Sequence, residues 1–126
     1  MPPYGPLVEE HFLRPRNLGE MPDADVAAEA SNPVCGDRMR LFLRLEGDRV
    51  VAATFKAQGC PAAIAAASMT TVLLVGSTIA QARAITRQAV SDALGGLPRA
   101  KMHCSVLAEE VIAMALDAHV AKGAGC

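Results

Sequence analysis

The sequence predicts an α+β domain, a small antiparallel β-sheet of about three strands packed against several α-helices, and two observations carry that prediction. Between Arg38 and Phe55 apolar and polar residues alternate in two runs joined by a turn, and beyond Gly59 the apolar spacing becomes that of helices. Strands and helices come in blocks instead of taking turns, which disfavours a parallel α/β sheet. A chain of 126 residues leaves room for one domain, taken as 1–126.

Each element has a local reason. Leu7, Val8, His11 and Phe12 fall at helical spacing in the segment Tyr4 to Arg14, and Pro15 ends that helix by pushing the preceding residue out of the helical region. Asp23 to Ser31 is an Ala- and Val-rich candidate for a first strand. Met39, Leu41, Leu43 and Leu45 share one face of the next strand, with Arg38, Arg40, Phe42 and Arg44 on the exposed one. Glu46, Gly47 and Asp48 form the turn, and Val50 to Phe55 returns as the hairpin partner. Ile64, Ala67, Thr71, Leu74 and Val75 line one side of a helix that Gly76 terminates. Thr78 and Thr86 are expected to cap two short helices. Gly95, Gly96, Leu97 and Pro98 break the chain before a last helix beginning near Ser105.

Composition excludes several functions. Lys+Arg 12 against Asp+Glu 13 gives no basic excess to attract a phosphate backbone, and with 3% aromatic residues there is little for bases to stack on, so nucleic acid is not an expected partner. No charge occurs between Lys56 and Arg83, but polar residues and glycines keep the apolar run below the roughly 20 residues that span a bilayer. No membrane partner is expected. The opening residues have neither a basic n-region nor an apolar h-region, so the expected address is the cytoplasm, where thiols stay reduced.

The four cysteines then ask for another role than disulfides, and metal is the leading one. Cys35 lies in a turn-rich stretch two residues from the Asp37 carboxylate. Cys60 precedes Pro61, a residue favoured at the first helical position, which makes Cys60 an expected N-cap. Cys104, beside His103, occupies the same kind of place before the last helix, and the positive ends of the helices are expected to bias both thiols toward thiolate. Three thiols, a carboxylate and an imidazole exceed what a closed tetrahedral ion needs, which suggests exchange. The spacing alone is not specific, because the cysteines lie 25 and 44 residues apart without a paired C-x-x-C knuckle. Asp37 has a rival role as a turn residue and His103 as a surface histidine before a helix. His11 and His119 are assigned to packing and solvent, Arg14 and Arg16 to a solvated face, Met69 and Met114 to the core, and Cys126 to a tail thiol.

The residues around these thiols form recognisable motifs. Asn32-Pro33-Val34-Cys35-Gly36-Asp37, Phe55-Lys56-Ala57-Gln58-Gly59-Cys60 and Lys101-Met102-His103-Cys104-Ser105-Val106-Leu107-Ala108-Glu109 resemble, in order, the iron-sulfur cluster assembly scaffold family that includes IscU and the N-terminal domain of NifU. Tyr4 to His11 and Pro15-Arg16-Asn17-Leu18-Gly19 resemble that family's opening. The resemblance implies an IscU/NifU N-terminal-like fold and a non-enzymatic scaffold. Such a scaffold builds a transient 2Fe-2S cluster from ferrous iron and the persulfide sulfur of a cysteine desulfurase, then passes it to apo-proteins. It implies that Cys35, Cys60 and Cys104 bind the cluster, that Asp37 matches the aspartate associated with lability, and that His103 stands beside the last ligand. Zinc in the same site is a further implication. A loop carrying Cys104 is expected to swing to collect sulfur. The chain departs from the family where DnaK/J-type chaperones bind, reading Leu97-Pro98-Arg99-Ala100-Lys101 in place of Leu-Pro-Pro-Val-Lys. The alternative is a zinc-bound sulfur acceptor or regulator of a cysteine desulfurase.

Overall fold

The computed structural model describes residues 5–33 and 36–124, with the side chains of the last helix described to residue 121. Helix α1 spans Pro6–Leu13, strands β1, β2 and β3 span Val26–Ser31, Arg38–Glu46 and Arg49–Gln58, and helices α2, α3, α4 and α5 span Pro61–Leu74, Ile79–Arg83, Arg87–Ala93 and Met102–Ala124. A 3-10 turn over Arg99–Lys101 leads into α5. The three strands form one antiparallel sheet in the order β1-β2-β3, as the alternation predicts.

Register explains which face is buried. Leu41 pairs with Phe55 and Leu43 with Ala53, and these residues, with Met39, turn to the helices and are buried. Helix α5 packs on β1 and β2, α2 packs on β3, and α1 packs on α2. Small residues let α2 sit that close: Ala62, Ala63, Ala65, Ala66, Ala67 and Ser68 are all buried along it.

Three expectations need correction. Phe42 faces away from the helices yet is only 5% exposed, because the Arg40 guanidinium lies 5.0 Å over its ring while reaching Glu20 and Glu29. Met114 is 46% exposed and fills no core. Helix α5 starts at Met102 instead of near Ser105, whose hydroxyl donates back to the Met102 carbonyl, as serine does inside a helix. His11 is buried, in keeping with a packing role, with Nδ1 2.7 Å from Ser68 Oγ. That oxygen also accepts from the Arg16 N–H, which ties the segment after α1 to α2. Burial, then the Arg16 charge, lowers the His11 pKa, while Glu10 opposes them.

The end of the sheet at the Gly47–Asp48 turn is closed by backbone. Val50 N–H donates to Ser77 O, Gly76 N–H to Val50 O and Ile79 N–H to Asp48 O, at 2.7–2.8 Å. Thr78 caps α3 with a reciprocal Gln81 contact and Thr86 caps α4, both as predicted. No described helix is long and apolar enough to cross a membrane.

Candidate metal centre

At the opposite end of the sheet three separate segments bring side chains together. The first is the β1–β2 connection, where Gly36 adopts φ 77°, donates its N–H to Asn32 O at 2.7 Å, and Asn32 N–H returns to Asp37 O at 2.9 Å. This closure turns the Asp37 side chain inward, to 7% exposure. Cys35 belongs to the same connection and lies outside the described residues, as does Cys126.

The second segment is the β3–α2 junction. Cys60 is the N-cap of α2 with Pro61 at the first helical position, as the sequence indicates, and its carbonyl receives Ala63 N–H and Ile64 N–H. Its sulfur makes no capping bond and is half-buried. The third is the start of α5, which places His103 and Cys104 in its first turn. His103 is partly open, beside a groove of about 290 Å³ lined by Asn32, Pro33, Leu107 and Glu110 among others.

These arms converge. Cys60 Sγ and Cys104 Sγ stand 3.8 Å apart, and His103 Nε2 lies 3.6 Å from Asp37 Oδ2. One donor atom each of Asp37, His103 and Cys104 lies within 4.8 Å of the others. Two thiolates bound to a single tetrahedral ion at about 2.3 Å have their sulfurs about 3.8 Å apart, and nitrogen and oxygen donors at about 2.1 Å stand about 3.4 Å apart. Both observed separations are close to those edges; Asp37, His103 and Cys104 form the compact group, and Cys60 joins it through its contact with Cys104.

Cys104 departs from its expected character in two ways. It sits inside the first helical turn, fully buried, and not on a loop free to swing. Its pKa is raised well beyond the ordinary thiol range, first by burial, then by Cys60 and Asp37, with Lys101 acting in the opposite direction. Negative neighbours and desolvation therefore outweigh the helix end that the expectation of a thiolate rested on. A cation entering between these groups reverses that balance, because it stabilises the thiolate and releases the proton.

Two residues of this end escaped the list of candidates. Lys101 sets a positive charge toward Cys104, and Gly59 lies directly against Asp37. Both stand in the recognised motifs, but only the packing shows what they touch.

Comparison with known proteins follows the same lines. The profile of the NifU-like N terminal domain matches residues 3–124. The iron-sulfur cluster assembly scaffold protein IscU 1 of Archaeoglobus fulgidus is 46% identical over 113 residues, covering 90% of this chain and 74% of that protein. The iron-sulfur cluster assembly scaffold protein IscU of Aquifex aeolicus is 37% identical over 121 residues, covering 94% of this chain and 77% of that protein. Among solved structures, a Fervidobacterium islandicum protein described as a cluster assembly scaffold for the SUF system superposes with a TM-score of 0.74 over 90% of this chain and 96% of that one. At 19% identity that last likeness concerns the fold alone.

Proposed function

The chain belongs to the family of NifU-like N-terminal domains, and on that premise we propose that it acts, as one domain over 1–126, as an iron-sulfur cluster assembly scaffold. The observation that carries the reading is the convergence of Cys60, Cys104, His103 and Asp37 from three distant segments at one end of the sheet. The cargo is a transient 2Fe-2S cluster made from ferrous iron and desulfurase-derived sulfur. Cys35, Cys60 and Cys104 bind it, and Asp37 and His103 compete for the remaining position.

Such a set holds its cargo and lets it go. Thiolates suit iron and zinc, whereas a carboxylate is the weaker and more readily exchanged partner for a cluster. Of the two described thiols, half-buried Cys60 is the one a sulfur donor meets first, and Cys104 becomes reachable when the first turn of α5 opens. The partners are a cysteine desulfurase and apo-proteins in the cytoplasm. A DnaK/J-type chaperone would have to accept Arg99-Ala100 within its recognition segment. The scaffold has no catalytic residue of its own in this reading.

A second reading has a specific observation in its favour: the 3.8 Å and 3.6 Å separations are each close to one edge of a zinc tetrahedron, consistent with a zinc-bound sulfur acceptor or desulfurase regulator. Anaerobic incubation with ferrous iron, cysteine and a desulfurase separates the two. A visible cluster chromophore that moves to an apo-ferredoxin is the expected result. Zinc that iron never displaces, with no chromophore, would establish the second reading instead.

A further inference from the structure

We propose that Gly59 is a positioning residue whose missing side chain admits the Asp37 carboxylate to the metal centre, a proposal that rests on the metal-binding reading above. A Cβ at Gly59 would stand 2.7 Å from Asp37 Oδ1, 2.8 Å from Asp37 Cγ and 3.1 Å from Ala63 Cβ. Carbon and oxygen do not approach so closely, so any other residue at 59 evicts the carboxylate. The carboxylate is flanked on its other side as well. It is 7% exposed, its carbonyl is fixed by the Asn32 N–H, and His103 Nε2 lies 3.6 Å from its other carboxylate oxygen. The carboxylate thus rests between a notch and an imidazole, and Gly59 is the notch.

Gly59 also adopts φ 153°, a conformation that disfavours side chains, so glycine answers two demands here. The demands are separable. Backbone strain belongs to residue 59 alone, whereas the steric demand belongs to the pair and vanishes when residue 37 carries no carboxylate.

Four full-length proteins test this: the natural chain, Gly59→Ala, Asp37→Ala and the double variant, each titrated with zinc against a chelator. Each single variant is expected to lose about tenfold or more in zinc affinity, the range for residues that orient metal ligands, and the double variant no more than the larger single loss. Losses that multiply would overturn the proposal. So would a natural chain that binds no zinc. Cobalt supplies a readout that general misfolding would move differently: Gly59→Ala retains the thiolate-to-cobalt absorption and shares the altered ligand-field bands of Asp37→Ala. Loss of the thiolate absorption would mean that Cys60 itself is displaced, and would contradict the assignment. Where Gly59→Ala is destabilised, the pairing predicts that adding Asp37→Ala recovers part of the lost stability, the remainder being backbone strain at residue 59, and no recovery overturns it. Cluster transfer distinguishes this proposal from the scaffold reading. Coincident zinc losses in a protein whose natural chain builds no cluster to pass to an apo-ferredoxin would remove the scaffold role and leave the pairing intact.

Discussion

The two ends of the sheet are built on different principles. At the Gly47–Asp48 end, backbone groups of β3, the α2–α3 connection and the turn satisfy one another, the Arg49 guanidinium donates to Gly76 O, and a capping box finishes α3. At the Asp37–Cys60–Cys104 end, the contacts between segments are made by ionisable side chains at 3.6–3.8 Å, longer than good hydrogen bonds. The comparison teaches where exchange is built in. Backbone hydrogen bonds cannot be lent to a ligand without unfolding, whereas thiols, imidazole and carboxylate can transfer their interactions to a metal and take them back.

Substitutions at the two ends should therefore divide cleanly. Replacing Cys60 or Cys104 by serine should weaken zinc binding by more than about 100-fold, beyond what supporting residues contribute, as measured by chelator competition. Thiol labelling sharpens the contrast within the site: in the metal-free protein an alkylating reagent should modify Cys60 about tenfold or more faster than the buried, hard-to-ionise Cys104, followed by peptide mass spectrometry. Equal rates would mean that the first turn of α5 is open most of the time. Asp37→Ala should slow cluster release to an apo-ferredoxin, and an unchanged transfer half-life would count against the carboxylate as the labile partner. At the closed end, Thr78→Ala should cost about 1 kcal/mol of stability by removing a helix cap while leaving zinc affinity unaltered.

The smallest effect concerns a third place, the His11 tether between α1 and α2. Its pKa is held below the ordinary value of 6.5 by burial first, so folding favours the neutral ring. The sign is that of a lowered pKa: the contribution is present above 6.5 and is lost as the pH falls toward the folded-state value. Denaturant midpoints measured from pH 7.5 to pH 5 should fall, and His11→Gln should flatten that slope.

How much of this the sequence shows depends on whether the cause is local. The β2–β3 hairpin follows from a period of two, and the Thr78 and Thr86 caps follow from side chains that reach their own helix, so these were legible and agree with the structure. Cys60 as an N-cap follows from Pro61 in the same way. The burial of Phe42 was not legible, because the residue covering it is an arginine that apolar patterning counts as exposed. The start of α5 misled for a related reason: Ser105 has the residue type of a cap, but its hydroxyl is spent on Met102 O inside the helix. The ionisation of Cys104 was misjudged because a helix end is visible in sequence, whereas the burial and the Cys60 and Asp37 charges that overrule it are contributed by other segments. The steric role of Gly59 belongs to the same class, being a relation between residues 37 and 59 that no local pattern encodes.

X-ray absorption at the zinc edge of the zinc-loaded protein tests most directly whether donors of both kinds meet on one ion. The account predicts a mixed shell, with sulfur at about 2.3 Å alongside nitrogen or oxygen at about 2.0–2.1 Å, and a loss of sulfur amplitude in Cys60→Ser. A shell of light atoms alone, or one unaltered by Cys60→Ser, would contradict it.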